Sequence, residues 1–235
     1  MQGVIRRRLL INFRVAPHVM QKLLPDRFRP KLHDGFAIAG ICLIRLEAIR
    51  PKHVPTFAGL SSENGAHRIA VVWDDGGTPR EGVYIPRRDT NSLVNHIAGG
   101  RVFPGEHHHA DFDVTDDGER IALTMRAKDD GVVVDVRARR VETWPSSSGF
   151  ESLDAASTFF EGGSVGYSVK RDLSRLDGIT LKTASWKVDA LEVEHVRSSF
   201  FDDETSFPKG SIDFDCGLVM RDIDHEWHSE PELVI

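Results

Sequence analysis

Little in this chain offers ready-made chemistry. Its 235 residues include only two cysteines, too few for a disulfide framework, and no Cys-x-x-Cys is present. Cys42 and Cys216 sit in apolar, strand-like surroundings. They read as small buried side chains of a protein held in a reducing cytoplasm. No stretch approaches the roughly 18 apolar residues of a membrane span, and the N-terminus lacks the apolar core of a secretory signal. A cytoplasmic location with no membrane partner is therefore expected. Positive charge is not in excess: a formal net charge of −6 and a pI near 6.0 argue against a nucleic-acid partner. The local cluster Arg6-Arg7-Arg8 reads as the exposed part of an N-terminal strand. Phosphate-cradling glycine loops and dinucleotide fingerprints are also missing, so no cofactor is expected.

What is present is a strand-rich chain of ordinary composition, long enough for one large domain with a full core. Strands are predicted over 3–15, 36–49, 63–73, 81–85, 107–114, 119–127, 132–142, 164–170, 178–188, 189–196 and 211–223. Short helices are predicted at 17–24, where Pro17 suits the first helical position, at 93–98, closed by Gly99-Gly100, and at 153–160. Asp74-Asp75-Gly76-Gly77, Asp116-Asp117-Gly118 and Asp129-Asp130-Gly131 mark tight turns. Periodicity gives a large antiparallel sheet with a few helices, and so many strands need a closed or strongly coiled sheet to escape exposed edges. The residues after Ile223, with Asp224-His225-Glu226-Trp227-His228, read as a polar chain end rather than a helical zinc motif.

The most informative segment is Glu81-Gly82-Val83-Tyr84-Ile85-Pro86-Arg87-Arg88. A strand running through a proline into two guanidiniums, followed by capping residues Asp89 to Ser92, suggests an anion cradle at a helix N-terminus. Strand alternation would place Arg87 and Arg88 on opposite faces, so one of the two would enter a cavity unless the proline bends the chain.

This segment resembles the active-site stretch of the acetoacetate decarboxylase family, in which an acidic residue, a β run and a proline lead to a pair of lysines. Together with residues 1–30, Ser61-Ser62-Glu63-Asn64 and Phe103-Pro104-Gly105-Glu106-His107-His108-His109-Ala110, it is similar to the DUF2071 (YqjF-like) branch of that superfamily. The resemblance implies an α+β fold, a large antiparallel β-cone or partly open barrel with flanking helices, in a single domain spanning 1–235. It also implies that Glu63 matches the glutamate that enters the decarboxylase site, and pairs with Arg87 or Arg88. Arginine, with a pKa above about 12, cannot supply the neutral amine of an imine mechanism. Schiff-base decarboxylation is therefore not expected at this position.

Three histidines in a row raise metal binding. On a strand, His108, Ala110, Phe112 and Val114 share the apolar face, while His107, His109 and Asp111 share a polar one. One inward histidine is not a zinc site, so no metal is predicted, and His108 is read as an acid, base or donor in the pocket. Gly162-Gly163-Ser164-Val165-Gly166 matches a hydrolase elbow by letter, but its helix-then-strand order is reversed. Lys209, after Phe207-Pro208, is a weak candidate for a relocated Schiff base.

The functional expectation is an interior cavity for a small anionic or carbonyl-bearing metabolite. Glu63, Arg87 and His108 would be catalytic, Arg88 and Tyr84 would bind ligand, and the chemistry would be a lyase or hydrolase step without an imine. The alternative is a non-catalytic ligand-binding or structural protein, and association into a homo-oligomer is compatible with either.

Overall fold

The computed structural model describes residues 1–93, 104–170 and 173–235. The helix expected at 93–98 falls almost wholly outside the described residues, and its Gly99-Gly100 stop falls wholly outside them. In chain order the described elements are β1 (Gln2–Val15), α1 (Pro17–Gln21), β2 (Arg29–Pro30), β3 (Leu32–His33), β4 (Phe36–Arg50), β5 (Leu60–Asp75) and β6 (Thr78–Thr90). After these come β7 (His107–Asp116), β8 (Arg120–Ala127), β9 (Val133–Val141), α2 (Leu153–Glu161), β10 (Val165–Val169), β11 (Arg175–Thr183), β12 (Asp189–Ser198) and β13 (Ile212–Val234).

All the strands join one sheet, mostly antiparallel, but β6 pairs in parallel with both β10 and β7. The sheet forks. Along one edge of β6, Val83 and Tyr84 pair with β10, whereas Arg88 to Thr90 pair with β7. Along one edge of β13, residues 217–219 pair with β12, whereas residues from His225 onward pair with β11. Two closed circuits result. A small ring comprises β1, β4, β5, β6, β10, β11 and β13, and a large ring comprises β1, β4, β5, β6, β7, β8, β9, β12 and β13. Closure leaves every long strand paired on both sides, which removes the exposed edges that promote aggregation.

The shared strands explain the sequence. A strand with solvent on one side alternates polar and apolar, but β4 reads Ile38-Ala39-Gly40-Ile41-Cys42-Leu43-Ile44 without a break. It borders two interiors. Ala39, Ile41 and Leu43 pack into the core of the large ring, while Ile38, Cys42 and Ile44 belong to a second apolar cluster on the opposite face. The amphipathic α2, capped by Ser152 accepting from the Ala155 amide at 3.1 Å, adds Ala156 and Phe160 to that second cluster. Beyond α2, Gly162–Ser164 makes a short 3-10 turn into β10. This is the helix-then-strand order expected for a chance match to the hydrolase motif.

Two of the boundaries that differ from expectation bear on the site. β6 continues through Pro86 to Thr90, so the arginine pair lies inside a strand and not at a helix N-terminus. β13 continues to Val234 as the partner of β11 and β1, because residues 224–234 complete the small ring. They are not a loose polar end.

Candidate functional site

Inside the small ring is a cavity of about 100 Å³. Its walls are mainly apolar, formed by Ile44, Leu46, Val83, Ile85, Ile179 and Leu181, and three guanidiniums enter it: Arg8 from β1, Arg68 from β5 and Arg88 from β6. Alternation along each strand sets which residues arrive. On β5, Asn64, Ala66 and Arg68 face the cavity, two apart. On β6, Val83 and Ile85 face it, and then the phase changes. The pairing of β5 with β6 slips between His67↔Arg87 and Ile69↔Tyr84, giving β6 one extra residue next to Pro86. Arg88 is thereby turned to the side of Val83 and Ile85, and Arg87 to the side of Tyr84. Across the parallel pairing, His107 faces Arg88 and also lines the cavity.

None of the three arginines has a carboxylate hydrogen-bond or ion-pair partner among the described residues. Arg8 donates from Nε to Cys42 Sγ at 3.3 Å and from Nη1 to Met220 Sδ at 3.8 Å, and stacks 5.7 Å from the Trp186 ring. Sulfur is a weak acceptor. Arg68, only 6% exposed, donates to Asn12 Oδ1 and lies over Phe160, and its Nε has no partner. Arg88 donates from Nε to Ser168 Oγ at 3.4 Å, and its buried Nη2 has no partner. Burial lowers Arg68 and Arg88 to about 10 each, so both remain charged at neutral pH. Among the described residues Asp89 is the one acidic residue of the lining, and its carboxylate is taken by Arg87.

The other predicted site residues lie on the large-ring side. Arg87 donates to Asp89 Oδ1 at 2.7 Å and also to Asp130 of the β8–β9 turn. Burial alone would lower the Arg87 pKa, but these bonds carry it upward. His108 Nδ1 lies 2.5 Å from Asp129 Oδ2. Glu63 pairs with neither Arg87 nor Arg88: its Oε2 accepts from Arg7 Nη2 at 2.7 Å, and Arg7 also approaches Asp116. Burial raises the Glu63 carboxyl in spite of Arg7. Tyr84 is buried in the large-ring core, 6.0 Å from the ring of Phe28. Of the five predicted residues, only Arg88 lines the cavity.

The expected orientation of the histidines is reversed. His107 is buried and lines the cavity, while the His108 side chain is 23% exposed on the opposite face. His108, Asp129 and Asp130 bring their ligand atoms within 4.8 Å of one another. The cation already between Asp130 and Asp89 is the Arg87 guanidinium. Sequence reading missed Arg8, Arg68 and His107. Of the basic triplet, only Arg6 is exposed, at 51%, whereas Arg7 is buried in its ion pair and Arg8 lines the cavity. Lys209 is exposed, and among the described residues no lysine lines the cavity.

The forked sheet is the fold of the acetoacetate decarboxylase-like proteins. The structure is similar to acetoacetate decarboxylase from Legionella pneumophila, with a TM-score of 0.59 at 11% identity over 100% of this chain and 86% of that one. It is similar to an acetoacetate decarboxylase-like enzyme from Sphingomonas wittichii, with a TM-score of 0.58 at 12% identity over 100% and 92%. It also resembles the enduracididine biosynthesis enzyme MppR complexed with pyruvate, with a TM-score of 0.56 at 11% identity over 99% and 89%. No curated protein sequence matches the chain. Residues 4–211 match the DUF2071 model, described as an uncharacterised conserved protein, and the chain belongs to that family.

Proposed function

We propose that the small ring binds a small metabolite with one anionic end and a carbonyl group, held by Arg88, Arg68 and Arg8. The observation that carries this reading is a pair of arginines, Arg68 and Arg88, that line an apolar cavity and each keep one buried guanidinium nitrogen without a partner. A buried cation without a counter-charge costs several kcal/mol, and a ligand anion would offset that cost with charge-assisted hydrogen bonds. The apolar walls suit a short carbon skeleton. MppR, of the same fold, holds pyruvate, a molecule of this kind.

Glu63, Arg87, His108 and Tyr84 are assigned to the framework of the large ring. Acid–base chemistry at the ligand, if the protein is a lyase or hydrolase, falls to His107, which faces Arg88. The non-catalytic binding reading draws support from one feature: among the described residues the lining holds no carboxylate free to act as a base. The experiment is a thermal-shift and calorimetric series with pyruvate, acetoacetate and neutral 1,3-diketones on the wild type, Arg68→Gln and Arg88→Gln. Carboxylates should stabilise the wild type and lose at least tenfold in affinity with either variant. Undiminished binding in both variants would remove the anion seat.

A further inference from the structure

Cys42 is the one sulfhydryl in the cavity wall. The Arg8 Nε–H donates to its sulfur at 3.3 Å. Arg68 and Arg88 line the same space, and Arg68, more than nine-tenths buried, has an Nε without a partner. A permanent cation that donates to sulfur stabilises negative charge developing on it as it attacks. The same cations draw anionic electrophiles to the thiol. Cys216 provides the contrast within the chain. It is fully buried and outside the lining, its sulfur accepts from Asn12 Nδ2, and burial pushes its thiol up.

Resting on the ligand class above, we propose that Cys42 is a nucleophile that captures the carbonyl carbon of a bound oxo-acid as a thiohemiacetal. The Cys42 Sγ–carbon bond forms as the carbonyl π pair moves to oxygen. The thiol proton ends on that oxygen, so no oxidant, reductant or leaving group is needed. The three arginines hold the carboxylate and the developing oxyanion. Covalent capture of this kind replaces the imine that an arginine pair cannot make.

The test compares iodoacetate with iodoacetamide, reagents of similar size and different charge, by peptide mass spectrometry on the intact folded protein. Iodoacetate should modify Cys42 about tenfold faster than iodoacetamide and leave Cys216 unmodified. Arg8→Gln, which removes the cation that donates to the sulfur, should slow both reagents and slow iodoacetate more, so that most of its preference is lost. Glyoxylate labelled with carbon-13 at its aldehyde carbon should give a bound resonance in the wild type that Cys42→Ser lacks. Faster iodoacetamide labelling, equal labelling of Cys216, absence of labelling, or the same bound resonance in Cys42→Ser would each overturn the proposal. If Cys42→Ser is still stabilised by pyruvate while the thiol tests fail, the anion seat stands and the nucleophile does not. If pyruvate stabilises neither protein, the ligand reading itself has failed.

Discussion

Arg88 and His107 are directly opposed in the short parallel pairing of β6 with β7, and both face the cavity of the small ring. Their neighbours Arg87 and His108 face the other way and meet around Asp130. Residues of the proposed ligand seat and residues of the framework ion pairs thus occupy alternate positions of the same two strands.

Arg88 should trade stability for binding. Replacing it with methionine removes a buried cation with no counter-charge, so the ligand-free protein should gain about 1–2 kcal/mol in urea unfolding. The stabilisation by pyruvate should disappear. A methionine variant less stable than wild type would mean that Arg88 has a stabilising partner.

Glu63→Ala should behave in the opposite way. It leaves Arg7, 4% exposed, without its 2.7 Å partner, and the loss should be about 3 kcal/mol in chemical unfolding. Carboxylate affinity of the folded protein should be unchanged, because Glu63 does not line the cavity. A variant of wild-type stability with abolished binding would move Glu63 back into the site.

Two buried histidines set a pH dependence. Burial, assisted by the Arg87 charge, lowers His67 from 6.5 to about 3, and burial with Arg8 lowers His225 to about 4. A histidine kept neutral by folding binds its proton more readily when unfolded. Its stability contribution is therefore complete above pH 6.5 and declines as pH falls toward 3–4, by up to about 1.4 kcal/mol per pH unit for each ring. Glu63 and Asp89, raised by burial, act with the opposite sign at the acidic end. The measurement is the difference in urea midpoints between wild type and His67→Gln, which retains a partner for Ser198. The wild-type midpoint should fall more steeply from pH 7 to 5, and parallel profiles would refute the assignment.

Borohydride with acetoacetate should trap no adduct on the wild type, since no lysine lines the cavity among the described residues. Arg88→Lys would put an amine beside Arg8 and Arg68, where neighbouring cations and burial favour its neutral form, and should give a mass shift. Arg87→Lys, facing Asp89, should not. A wild-type adduct would show that a lysine outside the lining reaches substrate.

Much of the strand order was legible, because turns such as Asp129-Asp130-Gly131 and the unbroken apolar run of β4 are local signals. The same turns mark the antiparallel meander of β7, β8 and β9, but pairing between distant strands and the face of each residue were not legible. The face of Arg88 depends on an extra residue beside Pro86, and that phase shift is defined only against β5. The His107 assignment failed for a related reason. Ala110 and Phe112 correctly mark the large-ring side, but the opposite face of β7 at His107 is a second interior, not solvent. Arg8 was misread similarly, since a basic triplet looks exposed unless the strand borders two enclosed spaces. The thirteen residues of β6 likewise hid a fork that no local pattern encodes.

The fork also bears on how the family can diversify. Successive residues of a shared strand report to different interiors, so a new cavity can be written on every second position while the intervening letters keep the protein folded. Where Pro86 shifts the frame, one inserted or deleted residue would exchange the two alphabets. That makes a short stretch of β6 the place where lineages of this fold could swap a ligand contact for a scaffold contact in a single step.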